Sequence, residues 1–273
     1  MPSRLVTAGI LLFWLTMTGW LIEREVVPMM IADASPSYRI DLTDEIGSPQ
    51  VAWHVLSDGK RIGGAISQIV VNDDRSFEFH SKYSFDRLSL GPVKFKLATS
   101  VIRVSEDGKL LAISARFGLQ HDTVLELKGE VVNNILEPHL YRDGSEWKLI
   151  DLGKIDLSRQ GSVVNPMHLM SRLRGLRAGQ SWRIHRLDPL SGVQNQLVNQ
   201  LGKQGVAVPT LIAEVKLDTL HWNRKEVPCH KIEYYEPGKE VTARTWVRKL
   251  DGLVLQQEAS HLGTEMITQR IPE

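Results

Sequence analysis

Cys229 and His230 stand side by side, the one thiol of the chain next to an imidazole, which are the residue types a thiol nucleophile and its base require. Adjacent residues on a strand point to opposite faces, however, and no helix start precedes Cys229 to stabilise a thiolate. Pro228 marks the beginning of a strand, so Cys229 reads as a small buried apolar residue. The nine histidines (His54, His80, His121, His139, His168, His185, His221, His230 and His261) show no HxH, HxxxH or HExxH spacing that would aim two imidazoles at one metal. His121-Asp122 is the single adjacent imidazole and acid with turn character, and it reads as a loop.

Serine chemistry finds no better footing. There is no GxSxG elbow, and the two SxxK strings, Ser57 to Lys60 and Ser145 to Lys148, sit at Asp-Gly turns. Gly63-Gly64 lacks the Lys-Ser/Thr ending of a phosphate loop; within a strand, paired glycines mark a bulge or sharp bend. Asp41, Asp44 and Glu45 read as a solvated acidic turn. Arg172, Arg174, Arg177, Arg183 and Arg186 form a basic stretch that reads first as a solvated polar face and second as a surface for anionic lipid headgroups. No catalytic residue, cofactor or metal ligand is assigned.

Over the whole chain, 33 basic residues balance 32 acidic ones for a net charge of +1, so no basic field invites nucleic acid. With 273 residues and 42% hydrophobic content the chain is long enough for a real core, and a single cysteine excludes an internal disulfide.

Leu5 to Ile22 reads LVTAGILLFWLTMTGWLI, 18 residues without a charge, and as a helix it spans roughly 27 Å. Arg4 precedes the run and Glu23-Arg24-Glu25 follows it, which places the start on the cytoplasmic side. The favoured reading is a retained transmembrane anchor over residues 1–24, a tether over 25–37 containing Pro28 and Pro36, and an extracytoplasmic domain over 38–273. A cleaved signal peptide ending near Ala32-Asp33-Ala34 is the alternative.

From Tyr38 onward short alternating runs are broken by turn dipeptides: Asp58-Gly59, Asp107-Gly108, Asp143-Gly144 and Asp251-Gly252, with Asn72-Asp73-Asp74 and Asn133-Asn134 adding two more turns. Phe77, Phe79, Tyr83 and Phe85 share one strand face opposite Glu78, His80, Lys82 and Ser84. Val93, Phe95, Leu97 and Val101 are expected to share a face opposite Lys94, Lys96 and Ser100; Leu211, Ala213, Val215 and Leu217 another, opposite Glu214, Lys216 and Asp218. Further strands are expected near 51–56, 61–71, 110–117, 123–132, 146–152, 181–187, 230–236, 241–248 and 253–260.

One helix is expected in this body, capped by Asn165, with Pro166 in its first turn and its end near Gly175. One helix cannot cover a dozen strands, so their apolar faces must meet one another. The fold class is mainly β, an N-terminal transmembrane helix followed by a curved antiparallel half-barrel or sandwich with one short packed helix. Asp188 to Gly205 is either a short amphipathic helix or a loop.

The segment Met167 to Leu173 with Leu176-Arg177-Ala178-Gly179-Gln180, then Ala243-Arg244-Thr245-Trp246-Val247 and Asp251-Gly252-Leu253-Val254-Leu255-Gln256-Gln257-Glu258, resembles a family of bacterial exported domains of unknown function. That family's curved antiparallel sheet is similar to the lipoprotein-carrier half-barrel. The resemblance implies an extracytoplasmic location and a concave apolar sheet, and it carries no catalytic residue.

The expected function is binding or scaffolding at the membrane, with an apolar or amphipathic envelope ligand held by residues such as Phe77, Phe79, Phe95 and Leu97. Membrane contact would run through Leu5–Ile22, and other envelope proteins are the expected partners. The alternative is an envelope hydrolase whose active-site residues are dispersed along the chain.

Overall fold

The structure, a computed structural model, describes residues 4–21, 50–90, 93–106, 109–119, 123–147, 154–157, 163–164, 169–186, 210–261 and 264–272. The tether, the Asp41 to Glu45 turn, Asp107-Gly108, His121-Asp122, Asn165 to His168 and the 188–205 segment lie outside the described residues.

Helix α1 (Arg4–Leu21) forms where expected. Its 18 residues rise about 27 Å, a little less than a hydrocarbon core of about 30 Å. Among the described residues no helix is long and apolar enough to cross a membrane, and the expected transmembrane helix is not found there. Ile10, Leu12, Phe13, Trp14 and Leu15 are all more than half exposed, so α1 does not bury its apolar surface in the body of the protein.

All the described strands belong to one open curved sheet. It starts with β1 (Val51–Ser57), β2 (Lys60–Val71), β3 (Phe77–Leu90), β4 (Val93–Val104), β5 (Leu110–Leu119), β6 (Val124–Val132) and β7 (Ile135–Arg142), each antiparallel to the one before. Two short strands, β8 (Ser145–Glu146) and β9 (Ile155–Asp156), pair with opposite ends of β7. The second half runs from β10 (Val163–Val164) through β11 (Ser181–Arg186), β12 (Thr210–Trp222), β13 (Lys225–Tyr235), β14 (Val241–Arg248) and β15 (Val254–His261) to β16 (Thr264–Arg270). β16 pairs with β1, so the last strand joins the halves and the order is β10-β11-β12-β13-β14-β15-β16-β1-β2-β3-β4-β5-β6-β7-β8. Only β10 and β11 run parallel among the described pairs.

The turns follow local chemistry. Asp58-Gly59, Asn133-Asn134 and Asp143-Gly144 have positive φ at both residues, as two-residue hairpins require, and Asn223-Arg224 does the same between β12 and β13. Alternation then buries one face. Trp53 and Val55 of β1, Phe77, Phe79, Tyr83 and Phe85 of β3, Phe117 of β5, Leu127 of β6, Trp182 and Ile184 of β11 and Ile232 of β13 belong to one continuous core. The opposite face carries the charges.

Three expectations change. The helix expected to end near Gly175 is absent over its described part: residues 169–175 form no helical turn, and Arg172 bridges antiparallel to Leu253. Leu169 and Leu173 are both buried, a four-residue spacing that mimics a helix face, but their amides bond to the sheet instead of to a preceding turn. The strand expected over 146–152 does not extend past Glu146 within the described residues. On β4 the face assignment inverts: Leu97 and Val101 lie opposite Ser84 and His80 on the outer face, whereas Ala98, Ser100 and Ile102 point inward opposite Tyr83, Ser81 and Phe79. A register shift between Phe95 and Leu97 breaks the period-two phase that linked them.

Candidate functional site

The inner face is crossed by residues 169–180, a strap leading into β11. Several of its backbone groups meet partners from the sheet. The Leu169 amide donates to Ser81 Oγ on β3 at 3.3 Å, and the Met170 amide to Gln257 Oε1 on β15 at 3.3 Å. Ser171 O accepts from Arg270 Nη1 at 3.1 Å and from the Val254 amide at 3.1 Å. The Leu173 amide donates to Gly252 O at 2.7 Å. Gly252 has φ 76, and a Cβ there would stand 2.6 Å from Leu173 O, so glycine is what lets the strap approach. Between these bonds Leu169 and Leu173 are 3% and 5% exposed. The inner face therefore holds an extended segment by two apolar anchors and a row of polar groups from β3, β15 and β16.

Of the residues proposed to hold a ligand, Phe77 and Phe79 are side by side on the inner face of β3 and buried. Leu97 lies on the outer face, so the structure does not bring it to them. Phe95 pairs through its backbone with Leu88 and Leu119; its side chain lies outside the described residues. Beneath Met170 a cavity of about 30 Å³ remains, lined by Ile184, Leu211, Tyr234, Thr245, Gln257 and others. It is water-sized. Burial pushes the Tyr234 hydroxyl up to about 12 and raises that of Tyr83 further, so both stay neutral. Trp182 Nε1 and Ser100 Oγ are buried with no hydrogen-bond partner among the described residues. The sequence offered no signal for Ser81, Gln257 and Arg270, polar residues at inward positions.

At the other end of the strap lies an open cleft of about 390 Å³ between residues 173–176, His230 and the turn from Val247 to Gly252. Arg248 grips Asp251 with two bonds, Nε to Oδ1 at 2.8 Å and Nη2 to Oδ2 at 2.6 Å, which holds the Asp251 carboxyl below its usual range. Burial, with Lys249 nearby, lowers the basicity of His230.

The outer face of β12 to β15 carries an ion-pair ladder. Lys216 bonds Glu233 at 2.6 Å and approaches Glu214 at 3.3 Å; Lys231 reaches Asp218 and Glu233, each at 3.3 Å; Arg244 meets Glu258 at 3.3 Å. Glu233 is the hub and is nearly buried, and the bond from Lys216 is the main cause of its lowered pKa. A carboxyl whose folded pKa lies below its unfolded value stabilises fully above the unfolded value and loses that contribution as pH falls through the folded one. The stability advantage of the wild type over Glu233→Gln is therefore expected to be full above about pH 5 and to shrink below the ordinary glutamate range. Denaturant titrations at several pH values check this; a pH-independent difference contradicts it.

Cys229 sits beside this ladder in a small cluster with Trp246 and Leu255. Burial pushes its thiol up to about 11, and its sulfur donates to Val227 O at 3.3 Å, so it is not poised as a nucleophile. His230 points to the other face, paired with Val247 and Leu217. His80 bonds Glu78 at 2.9 Å and His139 bonds Glu146 at 3.1 Å as separate surface pairs. Among the described residues no group of three or more His, Cys, Asp and Glu is placed to hold a metal ion.

No family model matches the chain, and no curated protein matches it. Among solved structures it is similar to a crystal structure of a beta-barrel-like protein of the domain of unknown function DUF1849 from Brucella abortus, at 8% identity and a TM-score of 0.45, over 81% of this chain and 94% of that one. What the fold and the site establish for this chain is a β-rich domain built on one open curved sheet, with an extended strap laid across its inner face.

Proposed function

We propose that this chain is an extracytoplasmic binding or scaffold protein, held at a membrane by its apolar N-terminal segment, whose inner sheet face takes an apolar or amphipathic envelope ligand in the position of the strap. The observation that carries this reading is the strap itself. The inner face accommodates an extended segment through two apolar anchors, Leu169 and Leu173, while Ser81, Gln257 and Arg270 supply directional bonds. An acyl chain with a polar end, or an extended apolar peptide, makes the same demands. The remaining cavity is only about 30 Å³, so a ligand enters by displacing the strap. The unpartnered Trp182 Nε1 and Ser100 Oγ give the interior spare polar capacity. The exposed apolar side chains of α1 support the membrane part of the reading.

The test is photolabelling of the full-length chain in membranes with a diazirine fatty acid, followed by peptide mapping. Label is expected on the peptides carrying Phe77 to Tyr83 and Leu169 to Arg177, and it is expected to rise several-fold in a Leu169→Ala/Leu173→Ala variant, whose strap is loosened. Label confined to Leu5–Ile22 overturns the ligand reading. Recovery of the chain in the soluble cytosolic fraction overturns the membrane reading.

A further inference from the structure

We propose that the cleft beside the β14–β15 turn binds a phosphate-bearing anion, the headgroup of an acidic membrane lipid. This site is separate from the inner face and shares with the reading above only the membrane as the source of its ligand.

The cleft draws its walls from three places: Arg174 to Leu176 of the strap, His230 of β13, and the turn Arg248 to Gly252. Its charges are one-sided. Asp251 is the one acid among the lining residues, and Arg248 already grips both of its oxygens. Beyond that pair the lining carries Arg174 and Lys249, with His230 as a further donor. The whole chain carries a net charge of only +1, so this excess is local. Arg174 is laid directly over the turn: its Cγ comes 3.1 Å from where a Cβ on Gly252 would stand. A concave surface with cations on facing walls concentrates field and suits a phosphate's several acceptor oxygens. Burial is the main cause of the lowered basicity of His230, and the positive charge of Lys249 adds to it.

The rim favours a lipid over a free ion. Leu250, between Lys249 and Asp251 at the tip of the turn, is 89% exposed. Leu217, directly opposite His230 in the β12–β13 register, is 62% exposed. Uncovered leucines flanking cations form the pairing by which proteins seat on a bilayer surface, apolar tips entering the interface while cations meet headgroups. Inorganic phosphate would make no use of them.

The experiment uses the full-length chain in neutral detergent micelles, titrated separately with dihexanoyl phosphatidylglycerol, dihexanoyl phosphatidylcholine and inorganic phosphate. The readout is the imidazole pKa of His230 by NMR, assigned with His230→Gln. Phosphatidylglycerol is expected to saturate and raise that pKa, phosphatidylcholine to leave it unchanged, and the exposed double substitution Arg174→Gln/Lys249→Gln to weaken phosphatidylglycerol binding at least tenfold. Leu250→Ser is expected to weaken phosphatidylglycerol binding several-fold. Equal affinity for inorganic phosphate and phosphatidylglycerol overturns the lipid assignment. No shift with any anion, or binding unchanged in the double variant, overturns the site. None of these outcomes depends on fatty-acid labelling of the inner face, so either proposal can fail alone.

Discussion

Gly63→Ala is expected to destabilise the protein by about 3 kcal/mol, whereas Gly64→Ala, one residue on, is expected to be neutral or stabilising by up to about 1 kcal/mol. The two glycines sit in the same strand with opposite surroundings. A Cβ on Gly63 would stand 2.1 Å from the Ser84 carbonyl oxygen and 3.1 Å from the Phe85 Cα, both backbone atoms of β3. Neither can swing aside as a side chain would, so β2 and β3 would have to part. A Cβ on Gly64 meets only the Trp53 carbonyl oxygen at 3.4 Å and the end of Arg61 at 3.9 Å. The β1–β2 register shifts between Val55, the partner of Gly63, and Leu56, so the close approach falls beside an irregularity of the ladder. Urea midpoints of the two variants decide the matter, and equal loss in both would contradict the packing described.

Trp53→Ala is expected to remove about 3–5 kcal/mol of stability, with Ser67→Ala accounting for about 1–3 kcal/mol. Trp53 is 1% exposed, on the strand that pairs with both β16 and β2, where the halves of the sheet join. Its indole Nε1 donates to Ser67 Oγ at 3.0 Å. Truncating the tryptophan opens a void between the halves and deletes that bond; replacing the serine leaves the indole in place with a buried donor unmet. Trp53→Phe separates the two effects, since it keeps most of the packing and removes the donor. Calorimetric unfolding should place it between the other two variants, and a Trp53→Ala loss below that of Ser67→Ala would refute the junction role.

The β architecture was legible wherever one face is oily and the other charged. The aromatic face of β3 and the Leu211 to Leu217 face of β12 were read from alternation alone, although Leu217 is exposed, and the paired glycines were read as a bulge or sharp bend, beside which the β1–β2 register shifts. Legibility failed where polar residues point inward. β16 presents Thr268 and Arg270 to the interior beside Met266, so Thr264 to Arg270 offers only one apolar residue on its inward face. β7 contains Pro138, which argues against a central strand; it is tolerated because β8 and β9 pair only with the ends of β7, leaving its middle as an edge. On β4 the inward row of Ala98, Ser100 and Ile102 is less hydrophobic than the outward Leu97 and Val101, and the register shift hides the phase. The strap was read as a helix because buried leucines four apart satisfy both geometries; only the distant partners Ser81, Gln257 and Arg270 distinguish them, and sequence spacing does not carry partners 88, 87 and 99 residues away. The basic stretch containing Arg174 was visible, but the turn residues completing its cleft lie elsewhere in the chain.

Because the strap is part of the same polypeptide, running directly into β11, under the proposed reading it would rival any incoming guest at an effective concentration of about millimolar. Dilution never removes that rival. Guests of modest affinity would thus be surrendered readily and strong ones retained, which would make the strap a threshold on what the interior keeps.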